Sequence, residues 1–84
     1  MVIMGDYGDA FGTAVAAELR AQRARKRITF DALAATTGLA KTTVLNYLNG
    51  KRDIPMPAFF DLCEALDADP RAIFMAAEES IEEC

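Results

Sequence analysis

Apolar residues along this 84-residue chain recur at helical spacing, and strand formers never cluster in alternating runs. Phe11, Val15 and Leu19 stand four apart, which predicts one buried stripe on a first helix from Ala10 to about Lys26, capped by Asp9 and basic in its last turns. Thr29 is a suitable N-cap for a second helix, with Asp31 in the first turn and Phe30, Leu33 and Ala34 on the inner face. Gly38 ends it, because glycine accepts the left-handed conformation that follows a helix. A third helix is expected from Lys41 to Asn49, with Val44, Tyr47 and Leu48 inward and Gly50 as its stop. After a loop over Lys51–Pro55, Pro57 sits near the start of a fourth helix whose Phe59, Leu62, Cys63 and Leu66 follow i, i+3, i+4, i+7. Asp69-Pro70 pairs a cap with a first-turn proline and starts a fifth helix toward Glu79. Residues 1–8 carry two glycines and read as a flexible arm, 9–76 as one helical domain, and 77–84 as an acidic extension. No repeat or low-complexity segment interrupts this order.

The stretch from Thr29 to Arg52 is the informative one. Its two short helices are joined by a turn too short for anything but a steep crossing. Ala34 permits close packing, and Leu39, Val44 and Tyr47 fill the wedge between the helices. The outer face of the third helix then carries Lys41, Thr42, Leu45, Asn46 and Asn49 and no acid. Such a face can lie in a major groove without repelling phosphates. Asn can pair with adenine N6 and N7, Lys with guanine O6 and N7, and Leu can touch a thymine methyl.

The net charge of −4 argues at first against a nucleic-acid partner, but its distribution changes that. Between Arg20 and Arg52 stand eight basic residues and one acid, Asp31, a local +7; from Asp61 onward stand eight acids and one base, Arg71, a local −7. A chain polarised in this way can meet a polyanion with one face, although two ordinary solvated charge runs would give the same count. Other functions lose ground. The chain has no His, the commonest general base and metal ligand, and no glycine-rich phosphate loop. Cys63 lies on an apolar helix face, where a thiolate is disfavoured. Cys63 and Cys84 form neither a disulfide framework nor a metal site. Cys84 reads as an accident, a redox handle, or the point where a longer protein was cut. The expectation is a non-enzyme without cofactor or metal. No stretch approaches the roughly 18 apolar residues of a membrane span, and the N-terminus lacks the features of a secretory signal, so a cytoplasmic protein is expected.

The run Ile28-Thr29, Leu33-Ala34, Gly38-Leu39, Thr43-Val44 and Tyr47-Leu48-Asn49-Gly50-Lys51 resembles the core of the Cro/CI-type (XRE-like) helix-turn-helix domains, with Phe60–Leu66 and Ile73-Phe74 similar to their closing helices. The resemblance covers about Val15 to Phe74. It implies an all-α, five-helix, lambda-repressor-like fold with the helix-turn-helix at helices 2 and 3, helix 3 being the recognition helix. It places Lys41, Thr42, Leu45 and Asn46 at base-reading positions, and Thr43, Asn49, Lys51 and Arg52 at phosphate-contacting ones. Three departures stand out. Phe30 replaces a frequent DNA-contacting Gln, and Ala40 replaces a Ser or Thr cap, at a cost of ~1 kcal/mol. Leu48 stands where many relatives carry a Glu that pairs with a first-helix Arg, which leaves Arg23 as a further phosphate contact.

One recognition helix reads too few base pairs to select a genomic site, so a homodimer on a palindromic double-stranded operator is the expected working form. Ile73, Phe74, Ala77 and Ile81 are the dimerisation candidates; Ile73 and Phe74 suit the monomer's own core better, while Ala77 and Ile81 suit either role equally. The leading function is a transcriptional regulator of the phage Cro or immunity-repressor kind. A second is an antitoxin-type interaction module whose acidic tail binds a protein, and a third is the DNA-binding half of a longer repressor.

Overall fold

Local capping chemistry sets most of the helix ends. A computed structural model describes the backbone of residues 4–82 and the side chains from Tyr7 onward, leaving Cys84 outside the described residues. Its elements are α1 (Met4–Lys26), α2 (Phe30–Thr37), α3 (Lys41–Leu48), α4 (Met56–Ala65) and α5 (Pro70–Glu82), with no strand among the described residues. The Thr29 hydroxyl accepts the Ala32 N–H at 3.0 Å and starts α2. Asp69 Oδ1 accepts the Arg71 N–H at 3.0 Å at the start of α5. Gly38 (φ 77°) and Gly50 (φ 76°) take the left-handed conformation after α2 and α3.

Two ends manage the same turn without glycine. Arg27 (φ 57°) follows α1 and Asp67 (φ 52°) follows α4. In each, paired backbone bonds close the end: Ile28 N–H to Arg23 carbonyl at 3.1 Å, and Ala68 N–H to Cys63 carbonyl at 2.8 Å.

The first helix starts earlier than its apolar periodicity predicts. It begins at Met4, so Asp9 lies inside it rather than capping it, and residues 4–8, expected as an arm, are helical. α1 as a whole packs on α5, although Tyr7 to Ala10 are exposed. Phe11 meets Phe74 at 5.7 Å between ring centroids, and Phe74 stacks on Phe59 at 4.8 Å.

The core joins Val15 and Leu19 of α1, Leu33 of α2, Val44, Tyr47 and Leu48 of α3, Phe59, Leu62 and Cys63 of α4, Leu66, and Ile73 and Ala77 of α5. Within the dimerisation set, Ile73 joins the monomer's own core, as its sequence context favours, and Ala77 does so too. Ile73 is 2% exposed and Ala77 fully buried within the monomer, so neither offers a surface to a second copy. Phe74 and Ile81 are half-buried. Burial, and secondarily the charge of Asp69, push the Cys63 thiol up to about 11, so it stays protonated and unreactive at neutral pH. No helix among the described residues is long and apolar enough to cross a membrane.

Candidate nucleic-acid interface

The Gly38 turn fixes α3 against α2. The Gly38 N–H bonds the Ala34 carbonyl at 2.9 Å, and Leu39, two residues before α3, packs on the core. Burial of Val44, Tyr47 and Leu48 then decides which side of α3 faces outward. On that outward side Lys41, Thr42 and Asn49 are exposed, and Thr43, Leu45 and Asn46 are half-buried. Four of these six residues lie on the first turn and a half of a short helix. Its N-terminal N–H groups are positive and open to an anion.

Lys51 and Arg52 are brought to the C-terminal end of the same helix. Their backbone N–H groups both donate to the Asn46 carbonyl, at 2.9 and 3.4 Å. The Arg52 guanidinium lies 5.7 Å from the Tyr47 ring centroid. The loop therefore folds back on the end of α3; Lys51 and Arg52 are both exposed, with the Arg52 guanidinium on the Tyr47 side of the helix.

The structure does not bring Arg23 into this group. Its Nη1 donates to the Ile28 carbonyl at 2.9 Å, its guanidinium sits 4.4 Å over the Phe30 ring, and its Nε is buried. Phe30 thus supplies a π face to Arg23. The expectation of a free guanidinium for phosphate fails for that reason. Two further bases of the +7 stretch are structural. Arg20 Nη1 donates to the Leu48 carbonyl at 2.6 Å, across 28 residues of sequence, and so caps the end of α3. Lys26 Nζ donates to the Leu66 and Asp67 carbonyls, the latter at 2.7 Å, and caps α4 in the same way. Arg20, Arg23 and Lys26 stand three apart, so one side of the last turns of α1 serves as a row of N–H donors to backbone carbonyls. Sequence reasoning missed Arg20 as the residue that seats the end of α3. Its spacing with Arg23 and Lys26 was the available signal.

Ala40 holds the N-cap position of α3 with extended backbone (φ −66°, ψ 145°) and no side-chain bond. Ala40→Ser is therefore expected to stabilise the domain by about 1 kcal/mol, because the backbone is already in a cap's conformation and only the acceptor is missing. A rise in melting temperature of roughly 4–8 °C in thermal unfolding followed by circular dichroism checks it. An unchanged midpoint would mean that the first N–H groups of α3 gain nothing from a serine oxygen.

The comparisons with known proteins agree with this geometry. A family model described as a helix-turn-helix domain matches residues 14–73. Among solved structures, the chain is similar to the clp gene regulator ClgR from C. glutamicum, with a TM-score of 0.78, 24% sequence identity, and coverage of 83% of this chain and 91% of that one. At that identity the likeness shows the shared fold. No curated protein matches.

Proposed function

The chain belongs to the helix-turn-helix domain family, and we propose that it is a sequence-specific transcriptional regulator that binds double-stranded DNA as a homodimer on a palindromic operator, in the manner of a phage Cro or immunity repressor. The observation that carries this reading is the outer side of α3: an acid-free surface of short polar groups with one Leu, held rigid from behind by three buried side chains. Lys41, Thr42, Leu45 and Asn46 read base edges, while Thr43, Asn49, Lys51 and Arg52 hold the backbone. The acids Glu78, Glu79, Glu82 and Glu83 near the C-terminus keep that end of the chain away from phosphate. Two copies place their recognition helices ~34 Å apart on one face of the duplex. For that pairing the monomer leaves Phe74 and Ile81 half-exposed on α5, with Met75 beside them 61% exposed. The protein acts by binding, without catalysis, in the cytoplasm of a bacterial host.

Selection of bound sites from a random duplex pool tests this. The expected result is an enriched palindrome. Asn46→Ala is expected to relax one symmetric pair of positions, lowering discrimination there by roughly 5- to 150-fold, the range of one lost bidentate contact. Failure of the wild-type protein to enrich any sequence at low salt would overturn the reading.

A further inference from the structure

The basic stretch from Arg20 to Arg52 contains one acid, and the fold places it at the candidate DNA-binding surface. Thr29 caps α2, which puts Asp31 in the first turn of that helix; Lys41 is the first residue of α3. The steep crossing around Gly38 brings the two N-terminal ends together, and Lys41 Nζ lies 3.2 Å from Asp31 Oδ1. Both side chains are exposed, at 54% and 76%.

Stability alone does not account for this pair. Exposed ion pairs contribute little and are screened by salt. Lys41 sits at the positive end of the α3 dipole, the end that disfavours a cation. Asp31, at the positive end of α2, is favourably placed without any partner. The pair therefore keeps a cation where helix energetics would not put one. A lysine ammonium is also a flexible point charge with no directional preference, and beside DNA it takes whichever phosphate is nearest. A carboxylate 3.2 Å away restricts that choice and adds its own repulsion toward phosphate.

We propose that Asp31 is a positioning residue for specificity: it aims Lys41 at a base edge and penalises the phosphate contacts on which non-specific binding depends. This rests on the regulator reading above and deepens it.

The test uses Asp31→Asn, which keeps the size of the side chain and its tolerance near a helix start, alone and together with Lys41→Met. Affinity is measured over a salt series for the selected operator, for the operator altered at the base that Lys41→Met relaxes, and for an unrelated duplex. Asp31→Asn is expected to tighten binding to the unrelated duplex and to steepen its log–log salt dependence by about 0.9, one added phosphate contact. It is also expected to lower preference at the Lys41 base roughly fivefold or more. Both changes should disappear in the Lys41→Met background, a result that mere removal of a negative charge would not give. Equal tightening on all three duplexes with base preference intact would overturn the proposal, as would the same changes without Lys41. A wild-type protein that selects no site fails the regulator reading and this inference together. One that selects a site, while Asp31→Asn leaves its preference unchanged, fails the inference alone.

Discussion

Leu48→Ala is expected to remove about 3 kcal/mol of stability, within the range of 2–5 kcal/mol for truncating a fully buried leucine. Leu48 is the last residue of α3 and has no exposed surface. Its side chain shares the core with Leu19, Leu33, Leu62 and Leu66, and its carbonyl takes the Arg20 guanidinium. For a domain of 84 residues, whose total stability is on the order of 4–12 kcal/mol, such a loss is a large fraction. The melting temperature should fall by more than 10 °C at roughly 4–8 °C per kcal/mol. Leu45→Ala on the same helix is the control. Its side chain is half-exposed on the outer side, so the effect on unfolding should stay below about 1 kcal/mol. Urea and thermal unfolding of both variants check the pair. Equal losses at the two positions would contradict the assignment of inner and outer sides on which the site depends.

That assignment was legible in the sequence, and the reason is local. Thr29, Gly38, Gly50 and Asp69-Pro70 act on backbone groups within a few residues of themselves, so the ends of α2 and α3 and the start of α5 could be read directly. The periodicity of Val44, Tyr47 and Leu48 likewise fixed which side of α3 is free. What could not be read depends on contacts distant in sequence or carries no local mark. The start of α1 at Met4 has weak apolar periodicity and two early glycines, so no local signal marks it. The apolar spacing of Ile73 and Ala77 announced a buried stripe but not what covers it; the cover is α1 of the same chain rather than a second copy. The left-handed turns at Arg27 and Asp67 carry no glycine to mark them.

Charge was the least legible layer. Counting bases gave +7 for one stretch, yet Arg20, Arg23 and Lys26 are engaged with the carbonyls of Leu48, Ile28, Leu66 and Asp67. Their role is to hold helix ends in place, including the end of α3 itself. A local count cannot separate a guanidinium that meets a carbonyl from one that meets a phosphate, because the two differ only in tertiary placement. Five bases of the stretch, Arg25, Arg27, Lys41, Lys51 and Arg52, are exposed and outside this set of carbonyl contacts; Lys41 lies on α3, and Lys51 and Arg52 follow it in sequence. The electrostatic part of DNA affinity is therefore concentrated in fewer residues than composition suggests, and each of them should matter more.

Neutralising two of them is the sharpest test of that concentration. Replacing Lys51 and Arg52 together by glutamine is expected to weaken binding to every duplex by a similar factor, selected operator and unrelated sequence alike. The physical basis is counterion release: each phosphate neutralised contributes about 0.9 to the slope of log affinity against log salt, so the loss of two contacts makes that slope shallower by about 1.8 for each bound copy. Across a fourfold change in salt this slope difference amounts to roughly a tenfold change in relative affinity per copy. The fold should survive, because both side chains are exposed and the bonds that fold the loop back on the end of α3 come from backbone N–H groups to the Asn46 carbonyl. Base preference should survive as well, which separates this variant from Asn46→Ala, where preference changes and the salt slope does not. Equilibrium titration of labelled duplexes at four or more salt concentrations gives both quantities. An unchanged slope would mean that the loop lies off the phosphate track and that α3 is oriented differently in the groove. A shallower slope with base preference intact would fix the division of labour: a loop that grips the backbone, and a helix that is free to read.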